Sequence, residues 1–202
     1  MFIYYRNNFL NPWDFLQIYQ LIQCKNSPIF QMEIKNRFAL LRTAGGSRPA
    51  HLGTRAVVLG GIGGSIAIGA LALLGASFAV TLLLGSFGAS CVLLFGYPDA
   101  PFAQPANVFF GHLFCTIIGI AALQLLGPSP WALALAVGLA ISVMMATRTV
   151  HPPAGSNPVI VFLGHAGWKF LLFPVVSGVV LLVLIAWIYN NATRKTRYPQ
   201  YW

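Results

Sequence analysis

Acidic residues are nearly missing from this chain. Asp14, Glu33 and Asp99 are the only three in 202 residues, and charged residues of both signs make up 7% of the sequence. A soluble domain carries roughly 25%. A surface this poor in charge excludes a water-soluble globular protein, so most of the chain has to sit in a bilayer as a single domain. None of the three acids lies in an apolar run, which argues against a sodium or metal pathway built on intramembrane carboxylates. With no Ser–His–acid set and no acid pair in those runs, the chain reads as a non-enzyme without catalytic residues. Cysteine is scarce as well. Cys24, Cys91 and Cys115 form no CxxC pair, which excludes a disulfide framework or thiolate metal site. No spacing puts His112, His151 and His165 on one helix face, so neither a metal nor another cofactor is expected. Strand-length alternation is lacking, which speaks against a β-barrel.

What is present is apolar and basic. Hydrophobic residues make up 57%, and twelve Lys and Arg face the three acids. The basic residues gather before the first apolar run (Lys35, Arg37, Arg42, Arg48, Arg55) and after the last (Arg194, Lys195, Arg197). Basic ends of this kind set membrane orientation and place both ends on the cytoplasm-like side; nucleic acid is not an expected partner. Residues 1–50 read as an N-terminal extension, poorly ordered or amphipathic, with no signal-peptide core and an acid-poor composition that leaves a transit peptide open. Met32 offers a second start, so the sequence leaves open whether residues 1–31 belong to the native chain.

Residues 51–202 read as an all-α, polytopic transmembrane bundle with five to six membrane segments. The runs cover residues 55–75, 77–95, 108–126, 131–147, an interrupted fifth stretch and 170–189. A span needs about 20 apolar residues. The fifth stretch, RTVHPPAGSNPVIVFLGH, offers only VIVFLG and can cross only if its irregular part is buried in protein. Six crossings keep both basic ends on one side. FGASCVLLFG resembles PAGSNPVIVFLG, and Gly88 to Gly111 spans 23 positions, as does Gly155 to Gly178. This is a candidate 3+3 inverted repeat with a broken segment in each half.

Within the interrupted stretch, Pro152 and Pro153 end the preceding helix. Gly155 allows a sharp turn, and Asn157 before Pro158 suits a helix start. Free amides at such a start form an anion site. GSFGAS supplies a second Gly-rich turn, with Ser86, Gly88 and Ser90. Arg148 has no carboxylate to pair with, so it is either an interfacial anchor or the partner of an anion from outside the protein. The candidate substrate-binding set is Arg148, His151, Gly155, Ser156, Asn157, Ser86, Gly88, Ser90 and His112. For His112 the alternative is a satisfied packing histidine, and for His151 a capping donor. His165 and Lys169 read as a solvated turn, and Gln124 as an interhelical hydrogen-bonding group. GGIGGSIAIG, with Gly60, Gly61, Gly64 and Ser65, suits close helix contact and makes a homo-oligomer the expected assembly.

FGASCVLLFGYPDAPFAQPANVFFGHL, LAVGLAISVMMATRTVHPPAGSNP and the closing RYPQYW together resemble the HPP family of integral membrane proteins, over about residues 50–202. His151, Pro152 and Pro153 are the tripeptide of that name. The resemblance implies a membrane transporter or channel for a small inorganic anion, with nitrite as substrate and a role in nitrogen assimilation. It also implies a cyanobacterial or other bacterial inner membrane, or a chloroplast envelope. Family members are usually described with four or five spans, fewer than the six crossings favoured by charge. The alternative to transport is a membrane scaffold or sensor in which the interrupted stretch is a structural plug.

Overall fold

Long apolar runs in a bilayer have one local solution, because every backbone amide must be satisfied inside the segment. In the computed structural model, every regular element among the described residues is helical. The structure describes Ser27, Pro28, Gln31, Met32, Lys35, residues 51–78 and residues 82–202. The expectations for residues 1–50 fall almost wholly outside them. Leu52–Trp202 is one compact unit, and the elements below belong to it.

Helix α1 is Thr54–Ser77. After residues that run extended at Leu84, α2 (Gly85–Cys91) continues as a π-helical stretch, Val92–Gly96. A 3-10 turn, Pro101–Ala103, leads into α3 (Pro105–Leu126). Gly127, in the left-handed region at φ 76°, ends α3, and Ser129 caps α4 (Pro130–Ala146) by accepting from the Ala132 amide. The interrupted stretch forms a 3-10 turn, Pro152–Ser156, and then α5 (Asn157–Gly164). Helix α6 (Trp168–Phe170) passes through a π-helical stretch, Leu171–Val176, into α7 (Ser177–Thr193). Among the described residues, three stretches are long and apolar enough to span a bilayer: α1, α3 and the run Trp168–Thr193. Gly85–Gly96 and α4 are apolar but shorter.

The exterior is what a lipid-facing surface requires. Ile66, Leu73, Leu125, Leu139, Leu163 and Ile188 are exposed, whereas Ser86, Ser90, His112, Thr116, His151 and Asn157 are buried. The buried residues of α1 and α4 form a single stripe at every fourth position: Gly63, Ala67, Leu71 and Gly75 on α1, and Ala132, Ala136, Ala140 and Met144 on α4. Such small-residue stripes let backbones approach closely. A Cβ on Gly63 would stand 2.5 Å from Phe95 Cδ1, and one on Gly60 would stand 3.3 Å from the Phe95 carbonyl. Gly60 and Gly63 thus serve contact with the π-helical continuation of α2 in the same chain, whereas Gly61 and Gly69 have open space where a Cβ would be. Gln124 accepts from Trp168 Nε1 at 3.0 Å, a link between α3 and α6 of the kind expected for it.

The closing RYPQYW motif clamps the connector before α3. Tyr198 is buried and donates to the Ala103 carbonyl at 2.8 Å. Burial pushes the phenol pKa above its ordinary range, so it stays a donor near neutral pH. The Gln200 amide donates to Gln104 Oε1 at 2.9 Å, and Gln104 Nε2 donates to the Pro98 carbonyl at 3.0 Å. Arg194 pairs with Asp99. These contacts fix the connector that carries Phe102, whose carbonyl has a part in the site.

Candidate functional site

The polar interior is assembled from four elements. Ser86 and Ser90 lie one turn apart on α2, so both face inward. His112 and Thr116 repeat that spacing on α3. His151 precedes the 3-10 turn, and Asn157 opens α5. Ser90, His112, Thr116, His151 and Asn157 are completely buried, and Ser86 is 2% exposed.

The segment holding His151 lies against α3 because α3 leaves it room. A Cβ on Gly111 would meet His151 Cβ at 2.9 Å and the Thr149 carbonyl at 3.2 Å. One turn earlier, Asn107 Nδ2 donates to the Val150 carbonyl at 3.0 Å and the Arg148 carbonyl at 3.3 Å. Further along, a Cβ on Gly119 would stand 2.8 Å from Pro158 Cα. One face of α3 therefore receives the backbone of the whole interrupted segment.

Four hydrogen bonds link the side chains in a line. His151 Nδ1 lies 2.6 Å from the Phe102 carbonyl, which can only accept, so Nδ1 carries the hydrogen. Its Nε2 is 2.8 Å from Ser90 Oγ, and Ser90 Oγ is 3.1 Å from His112 Nε2. His112 Nδ1 is 3.0 Å from Asn157 Nδ2. The amide orientation of Asn157 follows from Thr116. Its hydroxyl donates to the His112 carbonyl at 2.7 Å, so it must accept from Asn157 Nδ2 at 2.8 Å. His112 then accepts at Nδ1 and donates from Nε2 to Ser90. Ser90 in turn donates to His151 Nε2. Phe87 adds an edge-on contact to the His112 ring at a centroid distance of 5.4 Å. Within this cluster two buried atoms have no partner among the described residues, Ser86 Oγ and Asn157 Oδ1. A buried polar atom left unsatisfied costs about 1–3 kcal/mol, a cost that a polar ligand removes.

Of the nine residues in the expected set, the structure brings Ser90, His112, His151 and Asn157 into direct contact, with Ser86 one turn away. Gly88 is exposed, and so is Ser156, whose hydroxyl donates to the Pro153 carbonyl at 2.8 Å. Gly155 is half-buried with open space where a Cβ would be, and its φ is outside the left-handed region. The sharp turn expected there is instead a regular 3-10 turn. The expected cap and cradle of free amides take a different form. Asn157 is itself helical and turns its side chain to His112, and the amides of Ala154 and Asn157 donate within the turn to the carbonyls of His151 and Ala154. Thr116, Phe87 and the Phe102 carbonyl were not legible as site groups. For Thr116 the i+4 spacing from His112 was the available signal.

Arg148 is exposed and outside the cluster. It takes the left-handed conformation at φ 59° just past α4. The Thr149 amide bonds the Met144 carbonyl and the Arg148 amide bonds the Met145 carbonyl, a Schellman ending. His165 ends α5 in the same way at φ 47°. Left-handed geometry strains a residue with a Cβ, and a β-branched one most. Arg148→Val is therefore expected to lose about 1–2 kcal/mol, whereas Arg148→Gly keeps wild-type stability. Thermal unfolding of both in detergent checks this; equal melting temperatures would mean that the left-handed turn is not held in the folded protein.

Residues 49–199 match the family model of the HPP transmembrane region. The chain belongs to the HPP family. His151 of the HPP tripeptide is thus the completely buried histidine that joins Ser90 to the Phe102 carbonyl. Two transmembrane proteins of Dictyostelium discoideum are similar to this HPP chain. One is 38% identical over 129 residues, covering 60% of this chain and 45% of its own length. The other is 40% identical over 128 residues, covering 59% and 41%. The chain spans less than half the length of these curated relatives. No solved structure matches it.

Proposed function

We propose that this HPP protein is a transporter or channel for a small inorganic anion, with nitrite as the substrate that the family resemblance indicates. The observation that carries this reading is the buried cluster Ser86, Ser90, His112, Thr116, His151 and Asn157. It is polar, it lies where two interrupted segments meet, and it contains no carboxylate. Asp99, the one acid among the described residues, is 51% exposed and paired with Arg194. A cation would find no counter-charge there, while an anion would find the Ser86 hydroxyl, a buried donor with no partner among the described residues. The cluster is closed to water, as in an occluded stage of alternating access. Arg148 stands three positions before His151 at the exposed end of α4, where a fixed positive charge gathers anions.

The symmetry of the contacts supports an inverted repeat. An offset of 67 positions relates Gly88 to Gly155, Ser90 to Asn157, Phe95 to Phe162 and Gly111 to Gly178. Ser90 and Asn157 are both buried and bond opposite nitrogens of His112. Gly111 lies against His151, while a Cβ on Gly178 would lie 2.4 Å from Phe87 Cε2. Each half thus lays a glycine of its third segment on the broken segment of the other. Three crossings per half put both ends on one side. Tags at the two ends should show the same protease accessibility in sealed vesicles; opposite accessibility removes the repeat.

Proteoliposomes test the function. Purified protein should accelerate nitrite uptake over protein-free vesicles, and Arg148→Gln, which removes only an exposed charge, should slow it a few-fold. Folded protein that moves no nitrite would favour the scaffold or sensor reading and remove transport.

A further inference from the structure

We infer that the Asn157–His112–Ser90–His151 chain takes up one proton with each anion, so that this protein is a proton–anion symporter. The inference rests on the anion-transport reading and adds to it the coupling ion and the group that carries it.

The heavy atoms already suit two proton arrangements. In the first, Ser90 donates to His151 Nε2 at 2.8 Å and accepts from His112 Nε2 at 3.1 Å. In the second, the Ser90 hydroxyl hydrogen points to the Ser86 carbonyl, 3.0 Å from Ser90 Oγ. That rotation frees the lone pair of His151 Nε2 for a proton. The new N–H then donates to Ser90 Oγ, which accepts from both imidazoles while donating to Ser86. His151 Nδ1 keeps its bond to the Phe102 carbonyl at 2.6 Å. One proton has been added, one hydroxyl hydrogen has turned, and no heavy atom has moved. His112 cannot take the proton as simply. Its Nδ1 faces the Asn157 amide nitrogen, and that nitrogen is held by Thr116. His151 is therefore the acceptor and Ser90 the switch.

The groups around His151 decide what accompanies the proton. From α2 it meets Ser90, and behind Ser90 stands the Ser86 carbonyl. From α3 the His112 ring lies at a centroid distance of 5.1 Å and Asn107 holds the adjoining Val150 carbonyl, and from the connector comes the Phe102 carbonyl. Cys91 and Cys115, on the same two helices, pack in apolar clusters. On its own segment Arg148 is exposed. Asp99, at the end of the connector, is paired with Arg194 and exposed. No carboxylate among the described residues faces the imidazole. A buried cation without a partner is strongly unfavourable, so the proton is held only while an anion supplies the counter-charge. The anion in turn is held best when the proton is present. Reciprocal coupling of this kind makes the two bind together, and the loaded site is neutral overall.

The test is wild-type protein in vesicles loaded with a pH-sensitive dye, with nitrite added outside and internal nitrite and pH followed together against protein-free vesicles. Symport predicts one proton entering per nitrite above background. It also predicts a rate unchanged when potassium and valinomycin set an inside-negative potential, and uptake rising as the external pH falls. Ser90→Ala, which removes the switching hydroxyl, should lower proton-coupled uptake at least tenfold while His151→Gln loses the proton-to-nitrite ratio. Nitrite entering without protons, or slowed by the inside-negative potential as a lone anion is, overturns the inference and leaves anion transport standing. Should wild-type protein move no nitrite at all, transport and symport both fall. Should the variants fail to fold, the wild-type stoichiometry alone decides.

Discussion

Gly111→Val is expected to prevent accumulation of the folded protein, whereas Gly155→Val is expected to leave it nearly unchanged. The contrast is one of space. At Gly111 the first added carbon already stands 2.9 Å from His151 Cβ and 3.2 Å from the Thr149 carbonyl. Valine adds two methyl groups in that direction. The interrupted segment cannot retreat freely, because Asn107 holds the Arg148 and Val150 carbonyls and Phe102 holds His151. Overpacking of a well-filled core costs about 1–3 kcal/mol and sometimes more, enough to shift a marginal folding equilibrium by a factor of about 5 to 150. At Gly155 nothing lies within 4 Å of an added Cβ, and a change of that kind stays within about 0.5 kcal/mol. Size-exclusion profiles of the two variants in detergent check the contrast. Similar monodisperse peaks for both would mean that α3 and the HPP segment are not in contact.

If the protein carries nitrite as proposed, Asn157→Asp is expected to fold and to lose that uptake by about a hundredfold at neutral pH. The side chains are the same size, and a carboxylate at this position accepts from Thr116 and His112 where the amide now donates. What changes is charge. At an effective dielectric of about 20 and a separation of about 5 Å, two negative charges repel by roughly 3 kcal/mol, which is about a hundredfold in binding. If the carboxylate pairs with a protonated histidine, the site already holds its counter-ion and again rejects an anion. Uptake by this variant is compared with wild type in proteoliposomes, after its folding has been confirmed by melting temperature. Wild-type uptake would show that the anion does not pass Asn157.

The sequence alone determined the solvent, the fold class and the line of the broken segments. With three acids in 202 residues and apolar runs of span length, a bilayer is the only medium in which most of the chain can be buried. In a bilayer such runs must be helical, because each amide needs a partner within its own segment. Pro152 and Pro153 remove two amide donors from the chain, so the break at the HPP stretch is local chemistry and legible as such. His151 and Asn157 could be singled out for the same reason, as polar residues flanking a break between oily segments.

Only the tertiary structure decided which of the singled-out residues meet. Ser90 is 22 positions from His112 and 61 from His151, and no local rule ties residues so far apart. Their meeting depends on which side of α3 can admit a backbone, and that was settled by Gly111 and Gly119. In the sequence these are two glycines among twenty, with nothing to mark them as close contacts. The same holds for Arg148. Its lack of an acidic partner made it a natural anion ligand, but the left-handed turn that ends α4 points the chain so that the guanidinium stays at the surface and the carbonyl turns to Asn107. Charge and hydropathy are properties of single residues and short windows, and they survive in the sequence. The hydrogen-bonded line from Asn157 to Phe102 is a property of four elements packed together, and it exists only once the small residues have let the helices close.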